Sequence, residues 1–115
     1  MADDTLGDRV RRARVAQGMG VRGLAADLSV SPSYISDIEN DRRVPSEEVL
    51  RALSLRLELD FDELMALAGR FGDEADRYMR RTPAAGLLFR RLQQKGYSDA
   101  KVREIISQLD DSSPD

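Results

Sequence analysis

The stretch from Val30 to Ser46, VSPSYISDIENDRRVPS, constrains this chain more than any other. Ser31 followed by Pro32 is a helix start. A side-chain oxygen accepts a free backbone N–H, and the proline presets φ at the first helical position. Ile35 and Ile38 give the helix one apolar side, while Ser33, Tyr34, Ser36 and Asp37 face other ways. The helix therefore carries a polar face that a core does not need. A basic loop, Asp41–Val44, follows it, and Pro45-Ser46 opens the next helix.

The flanking residues supply the elements this helix packs against. Thr5 caps a first helix with Asp8 in its first turn and Leu6, Val10 and Ala13 on one side, and Gly18 and Gly20 stop it. Val21, Leu24, Ala25 and Leu28 keep the i, i+3, i+4, i+7 spacing of a second helix. Gly23 within it either weakens the helix or allows close packing against a neighbour. Ser29-Val30 is the tight link into the third. Val49, Leu50, Leu53 and Leu57 form the buried side of a fourth helix begun at Ser46. Asp60 and Glu63 make a capping-box pair for a fifth, with Phe61, Leu64, Met65 and Ala68 inward.

The fold expected is all-α: a five-helix unit over 5–69, a helical C-terminal segment over 73–109, and a disordered tail over 110–115. Residues 1–4 are expected to be disordered as well. Gly69-Arg70-Phe71-Gly72 is the candidate hinge. Beyond it, Asp73–Arg81 reads as a charged helix. Thr82-Pro83 opens another with Ala85, Leu88, Phe89 and Leu92 on one face, closed by Lys95-Gly96. Ser98 caps the last, striped by Val102, Ile105, Ile106 and Leu109.

Composition excludes several functions. The chain has no cysteine and no histidine, which removes disulfides, cysteine-based zinc sites, the commonest general base and the commonest transition-metal ligand. Its two lysines, Lys95 and Lys101, lie on solvated helix surfaces, and its carboxylates sit mainly at helix caps. An enzyme, a metal or a cofactor is therefore not expected. No apolar run approaches the roughly 20 residues that span a bilayer, so the chain is expected in the cytoplasm, without a membrane partner. Net charge is −3, carried as −4 over residues 1–69 and +1 over 70–115. Any nucleic-acid contact must rest on local clusters such as Arg42 with Arg43.

LGDRVRRARVAQG, LAADLSVSPSYISDIEN and RRVPS, in this order over roughly residues 6–69, resemble the Cro/phage-repressor-like (XRE-type) helix-turn-helix family of bacterial transcription regulators. The resemblance implies a repressor-like fold and double-stranded DNA as partner. It implies that Arg14 pairs with Glu39, tying the first helix to the end of the recognition helix. It places Ser31, Pro32, Ser33, Tyr34 and Asp37 at the recognition positions, with Ser33 and Tyr34 as base readers. Tyr34 has an alternative, packing on the domain surface with its hydroxyl in water. Asp37 either accepts from a cytosine amino group or lies off the DNA. Arg42 and Arg43 are expected against the phosphate backbone, with Arg22 a further candidate. Two positions depart from the family pattern. Gly20 and Val21 replace a cap Ser/Thr and a phosphate-contacting Gln. Asp41 replaces a Gly, and must then adopt a left-handed conformation.

The leading expectation is a sequence-specific regulator, a repressor that binds a short palindromic operator as a homodimer. Leu88, Phe89, Leu92, Ile105, Ile106 and Leu109 form the expected seam, since exposed apolar stripes of this kind call for a partner. The alternative is an antitoxin or interaction module on the same scaffold, whose C-terminal helices bind a regulatory protein such as a toxin or protease.

Overall fold

Thr5 Oγ1 accepts the Asp8 N–H at 3.1 Å while the Asp8 carboxylate accepts the Thr5 N–H at 3.2 Å, a reciprocal capping box that starts α1 (Leu6–Ala16). The computed structural model describes residues 4–114, and all regular structure among them is helical. α2 (Val21–Leu28) starts at Gly20 without a side-chain cap. Ser29 in the left-handed region (φ 58°) turns the chain into α3 (Pro32–Glu39). There the Ser31 hydroxyl accepts the Tyr34 N–H at 3.1 Å. α4 (Glu47–Leu57) is capped by Ser46 and α5 (Phe61–Leu67) by Asp60. Asp60 accepts the Glu63 N–H at 3.0 Å, and the Glu63 carboxylate faces Arg9 at 3.8 Å.

These helices share one apolar core. Leu24, Ile35, Ile38, Leu50, Leu53 and Leu64 are fully buried at its centre, with Leu6, Val10 and Leu57 completing it. Each large aliphatic side chain buried there is worth roughly 1.5–3 kcal/mol. The core lies on the side of α3 that carries Ile35 and Ile38, which leaves the opposite face in solvent.

Contacts divide the chain into two units, the first reaching Gly72 and the second running from Asp73. The second holds α6 (Gly72–Arg81), α7 (Pro83–Lys95) and α8 (Asp99–Asp110), the last capped by Ser98. None of these three helices buries a residue among those described. α8 runs through Asp110, and Ser112 Oγ donates back to the Gln108 carbonyl at 2.7 Å.

Two expectations need correcting. Asp4 is not loose: its carboxylate bonds to Arg12, and Arg9 lies 3.8 Å away. The remainder of the expected disordered leader, residues 1–3, lies outside the described residues, as does Asp115. Gly23 is not a packing glycine either, because a Cβ there would meet nothing within 4 Å. The close approach is at Gly7, where a Cβ would lie 2.4 Å from the Glu39 carbonyl oxygen and 2.7 Å from that of Ile38. The start of α1 is seated directly on the end of α3.

Candidate nucleic-acid interface

Arginines of α1 hold the C-terminal end of α3. At its C-terminal end the Glu39 carboxylate, 3% exposed, takes two bonds from the Arg14 guanidinium, from Nε at 2.6 Å and Nη2 at 2.9 Å. Arg14 Nη1 donates to the Met19 carbonyl at 2.8 Å, so the fork joins α1, the α1–α2 link and α3. The bond to Glu39 is also the main reason the Arg14 pKa lies above the ordinary arginine value. Arg11 adds a longer contact to Glu39 at 3.5 Å and a bond to Asn40 Oδ1 at 3.1 Å. A charge pair buried to this degree is retained only when its remaining donors are satisfied, and here they are.

Just beyond α3, Asp41 adopts φ 56°, so this departure from the family pattern takes the left-handed conformation the substitution demands. The Asp41 carboxylate accepts from Thr5 Oγ1 at 2.7 Å and from the Gly7 N–H at 3.0 Å. Arg70 Nε donates to the Pro45 carbonyl at 2.7 Å, which fixes the far end of the same loop.

The expected contact residues lie on α2, on α3 and in the loop that follows α3. Ser31, Pro32 and Ser33 are exposed at the start of α3, with the two serine hydroxyl oxygens 3.2 Å apart. Tyr34 is half-buried against the core, and the Arg43 guanidinium stacks over its ring at 4.8 Å from the centroid. Its ring is thus packed and holds an arginine. Asp37 lies 3.7 Å from Arg42, a solvent-exposed pair worth little in stability. Arg42 and Arg43 are both exposed, as is Val44 beside them. Arg22 projects from the first turn of α2 and makes no ion pair among the described residues.

Sequence reasoning missed Arg11, Gly7 and the carboxylate of Asp41 as parts of this frame. Each acts across about thirty residues of chain, through contacts that no local spacing announces. Among the described residues no cluster of acidic side chains is placed to hold a metal ion, and no helix is long and apolar enough to cross a membrane.

Comparison with known proteins places this arrangement. Residues 5–68 match the family model described as a helix-turn-helix domain. The chain belongs to the Cro/phage-repressor-like helix-turn-helix family. Among its relatives is the transcriptional regulator ClgR of Mycobacterium tuberculosis, 36% identical over 81 residues, which are 70% of this chain and 72% of that protein. Such relatives are named as transcriptional regulators. The solved structure of the clp gene regulator ClgR from Corynebacterium glutamicum is 28% identical, covering 78% of this chain and 88% of that one, with a TM-score of 0.49. A SinR–SinI protein complex matches at 24% identity over 92% of this chain and 95% of that one, with a TM-score of 0.50, a likeness of fold.

Proposed function

We propose that this helix-turn-helix protein is a DNA-binding transcriptional regulator, acting as a repressor on a short palindromic operator as a homodimer. The observation that carries the reading is the exposed start of α3, held at its other end by the Arg14–Glu39 fork and continued by the exposed Arg42–Arg43 loop. A helix start enters the major groove, so Ser33 and Tyr34 are its base readers, with Ser31 and Pro32 setting the approach. Arg22, Arg42 and Arg43 neutralise phosphates, which orients the protein without reading sequence. Asp37, next to Arg42, lies off the phosphates. The ClgR relatives named as transcriptional regulators support the same role. A DNA-binding regulator of this bacterial kind works in the cytoplasm.

Dimerisation follows from two considerations. One small recognition surface gives modest affinity, whereas two placed about 34 Å apart read successive major grooves. The second unit offers the apolar area: Leu88, Phe89, Ile106 and Leu109 are each 45–64% exposed, and Leu92 and Ile105 stand half-buried beside them. Leu87, at 49%, extends this surface beyond the expected seam. The same exposure favours a second reading, an antitoxin or interaction module whose C-terminal helices take a regulatory protein.

Selection of bound duplexes from a randomised pool, followed by sedimentation of the free protein, tests the reading. A palindromic consensus with half-site centres about 10 bp apart and a two-chain species are expected. A protein that enriches no sequence is an interaction module instead. One that enriches a single half-site and sediments as one chain is not a dimeric repressor.

A further inference from the structure

We propose that Asp41 is a positioning residue for DNA binding: it fixes the Arg42–Arg43 loop by fastening it to the N-terminus of α1. The proposal rests on the DNA-binding reading above and adds the element that orients its phosphate-contacting arginines.

Asp41 occupies a left-handed backbone conformation (φ 56°) that an L side chain adopts reluctantly. A turn needing only that conformation is served best by glycine. Asp41 adds what glycine lacks, two short contacts across the sequence. Its Oδ1 accepts the Gly7 N–H at 3.0 Å, one of the helix-start donors that has no partner inside α1. Its Oδ2 accepts the Thr5 hydroxyl at 2.7 Å. That hydroxyl in turn accepts the Asp8 N–H at 3.1 Å, so one proton and one lone pair link the α1 cap to the loop in series.

Two further observations show that the contact constrains the loop instead of merely decorating it. The missing Cβ of Gly7 leaves room for the end of α3 to press against α1, which places the two elements at a fixed separation. The backbone on either side of Asp41 is closed onto α3, with the Asp41 N–H on the Ile38 carbonyl at 3.0 Å and the Arg42 N–H on the Asp37 carbonyl at 2.8 Å. The next two side chains then have defined directions, Arg42 towards Asp37 and Arg43 over Tyr34. Phosphate binding by a side chain already aimed loses less freedom than binding by one that must be ordered on contact.

The test compares the unaltered protein with Asp41→Gly and Asp41→Asn, using a duplex selected by the unaltered protein and heterogeneous genomic duplex as probes. Asp41→Gly relieves the backbone and removes the clamp, so it is expected to fold. It should bind the selected duplex about fivefold more weakly, with a shallower salt dependence. Asp41→Asn keeps left-handed tolerance and an oxygen for the Gly7 N–H, and restores most of the affinity. In an Arg42→Ala/Arg43→Ala background, Asp41→Gly has no further effect, which a general loss of structure would not produce. Amide hydrogen exchange of residues 41–44 in the free Asp41→Gly protein rises while the core amides stay protected. Unchanged affinity, salt slope and loop exchange in a folded Asp41→Gly protein overturn the proposal and leave the DNA reading standing. Failure of the unaltered protein to bind either duplex overturns the DNA reading and this role with it.

Discussion

Arg14 grips Glu39 with two parallel N–H donors, 2.6 and 2.9 Å from the two carboxylate oxygens, and the carboxylate is all but sealed from solvent. Removing either partner leaves the other charged, buried and underbonded, an arrangement that costs about 3–5 kcal/mol. Glu39→Ala is therefore expected to lower unfolding stability by about 3 kcal/mol in urea titration, somewhat moderated because Arg14 is the more exposed partner. Arg14→Lys should recover only part of its own loss, because an ammonium cannot present the same fork. A change below about 1 kcal/mol for Glu39→Ala would mean that the pair is only incidental to the fold.

Two glycines should respond to alanine with opposite signs. Gly23 lies within α2 with open space around it, so Gly23→Ala is expected to stabilise the protein by up to about 1 kcal/mol. At Gly7 the added methyl meets backbone oxygens that cannot swing aside. Overpacking of this kind costs about 1–3 kcal/mol, and Gly7→Ala should lower the unfolding midpoint accordingly. Equal effects at the two sites would contradict the seating of α1 on α3.

That pair also shows what the sequence alone can and cannot reveal. The caps at Thr5, Ser31, Ser46, Asp60 and Ser98 were readable because capping is local chemistry, with donor and acceptor within three residues of each other. The apolar periodicity located Val10, Leu24, Ile35, Leu50 and Leu64 in the core for the same reason. Gly7 and Gly23 are indistinguishable by spacing, since only the partner brought up by the fold tells them apart. The partner of Arg11, Asn40, and the two donors to Asp41, from Thr5 and Gly7, come from elements distant in sequence that no local pattern announces. Arg14–Glu39 was legible at long range only through the family resemblance.

Tyr34 separates two contributions to the interface. Its ring supports Arg43 at 4.8 Å, and its hydroxyl belongs to the exposed edge of α3 in the DNA-binding reading. Tyr34→Phe keeps the ring, so stability and the salt slope of DNA binding should stay near the unaltered values while sequence preference shifts. Tyr34→Ala also releases Arg43, and binding to all duplexes should weaken. With Arg42→Ala/Arg43→Ala the salt slope should fall by about two phosphate contacts. Identical behaviour of the Phe and Ala variants would assign all of the effect to the ring.

Acid should break the Asp4–Arg12 pair only below the pH at which an ordinary aspartate takes up its proton. The bond from Arg12 is the main cause holding the Asp4 carboxyl below the ordinary aspartate range; burial opposes it, and the charges of Arg12 and Arg9 add smaller lowering effects. A carboxyl whose folded pKa is depressed stabilises the fold above its unfolded pKa, and loses that contribution as pH falls through the folded value. The Asp4 side-chain carbon resonance should accordingly titrate below a normal aspartate, and Asp4→Asn should abolish that low-pH transition without altering neutral-pH DNA binding. An Asp4 that titrates at the ordinary value would remove the pair from the solution structure.

The C-terminal helices carry the last prediction. α7 and α8 leave Leu87, Leu88, Phe89, Ile106 and Leu109 substantially exposed and bury no described residue of their own, so their apolar sides have no satisfying partner within those helices. In the proposed dimer a second copy would supply one, and it would also turn two weak half-site contacts into one bivalent contact, a gain of about a hundredfold or more in affinity. Phe89→Asp and Leu109→Asp place charge in the proposed seam while leaving the α1–α5 core untouched. Both variants should sediment as single chains with the unfolding of the first unit unchanged, and their affinity for the full palindrome should fall to that for one half-site. If they stay two-chain species, the seam lies elsewhere. If they become single chains yet keep full operator affinity, the second copy is not needed for binding, and the apolar face belongs to a different protein partner.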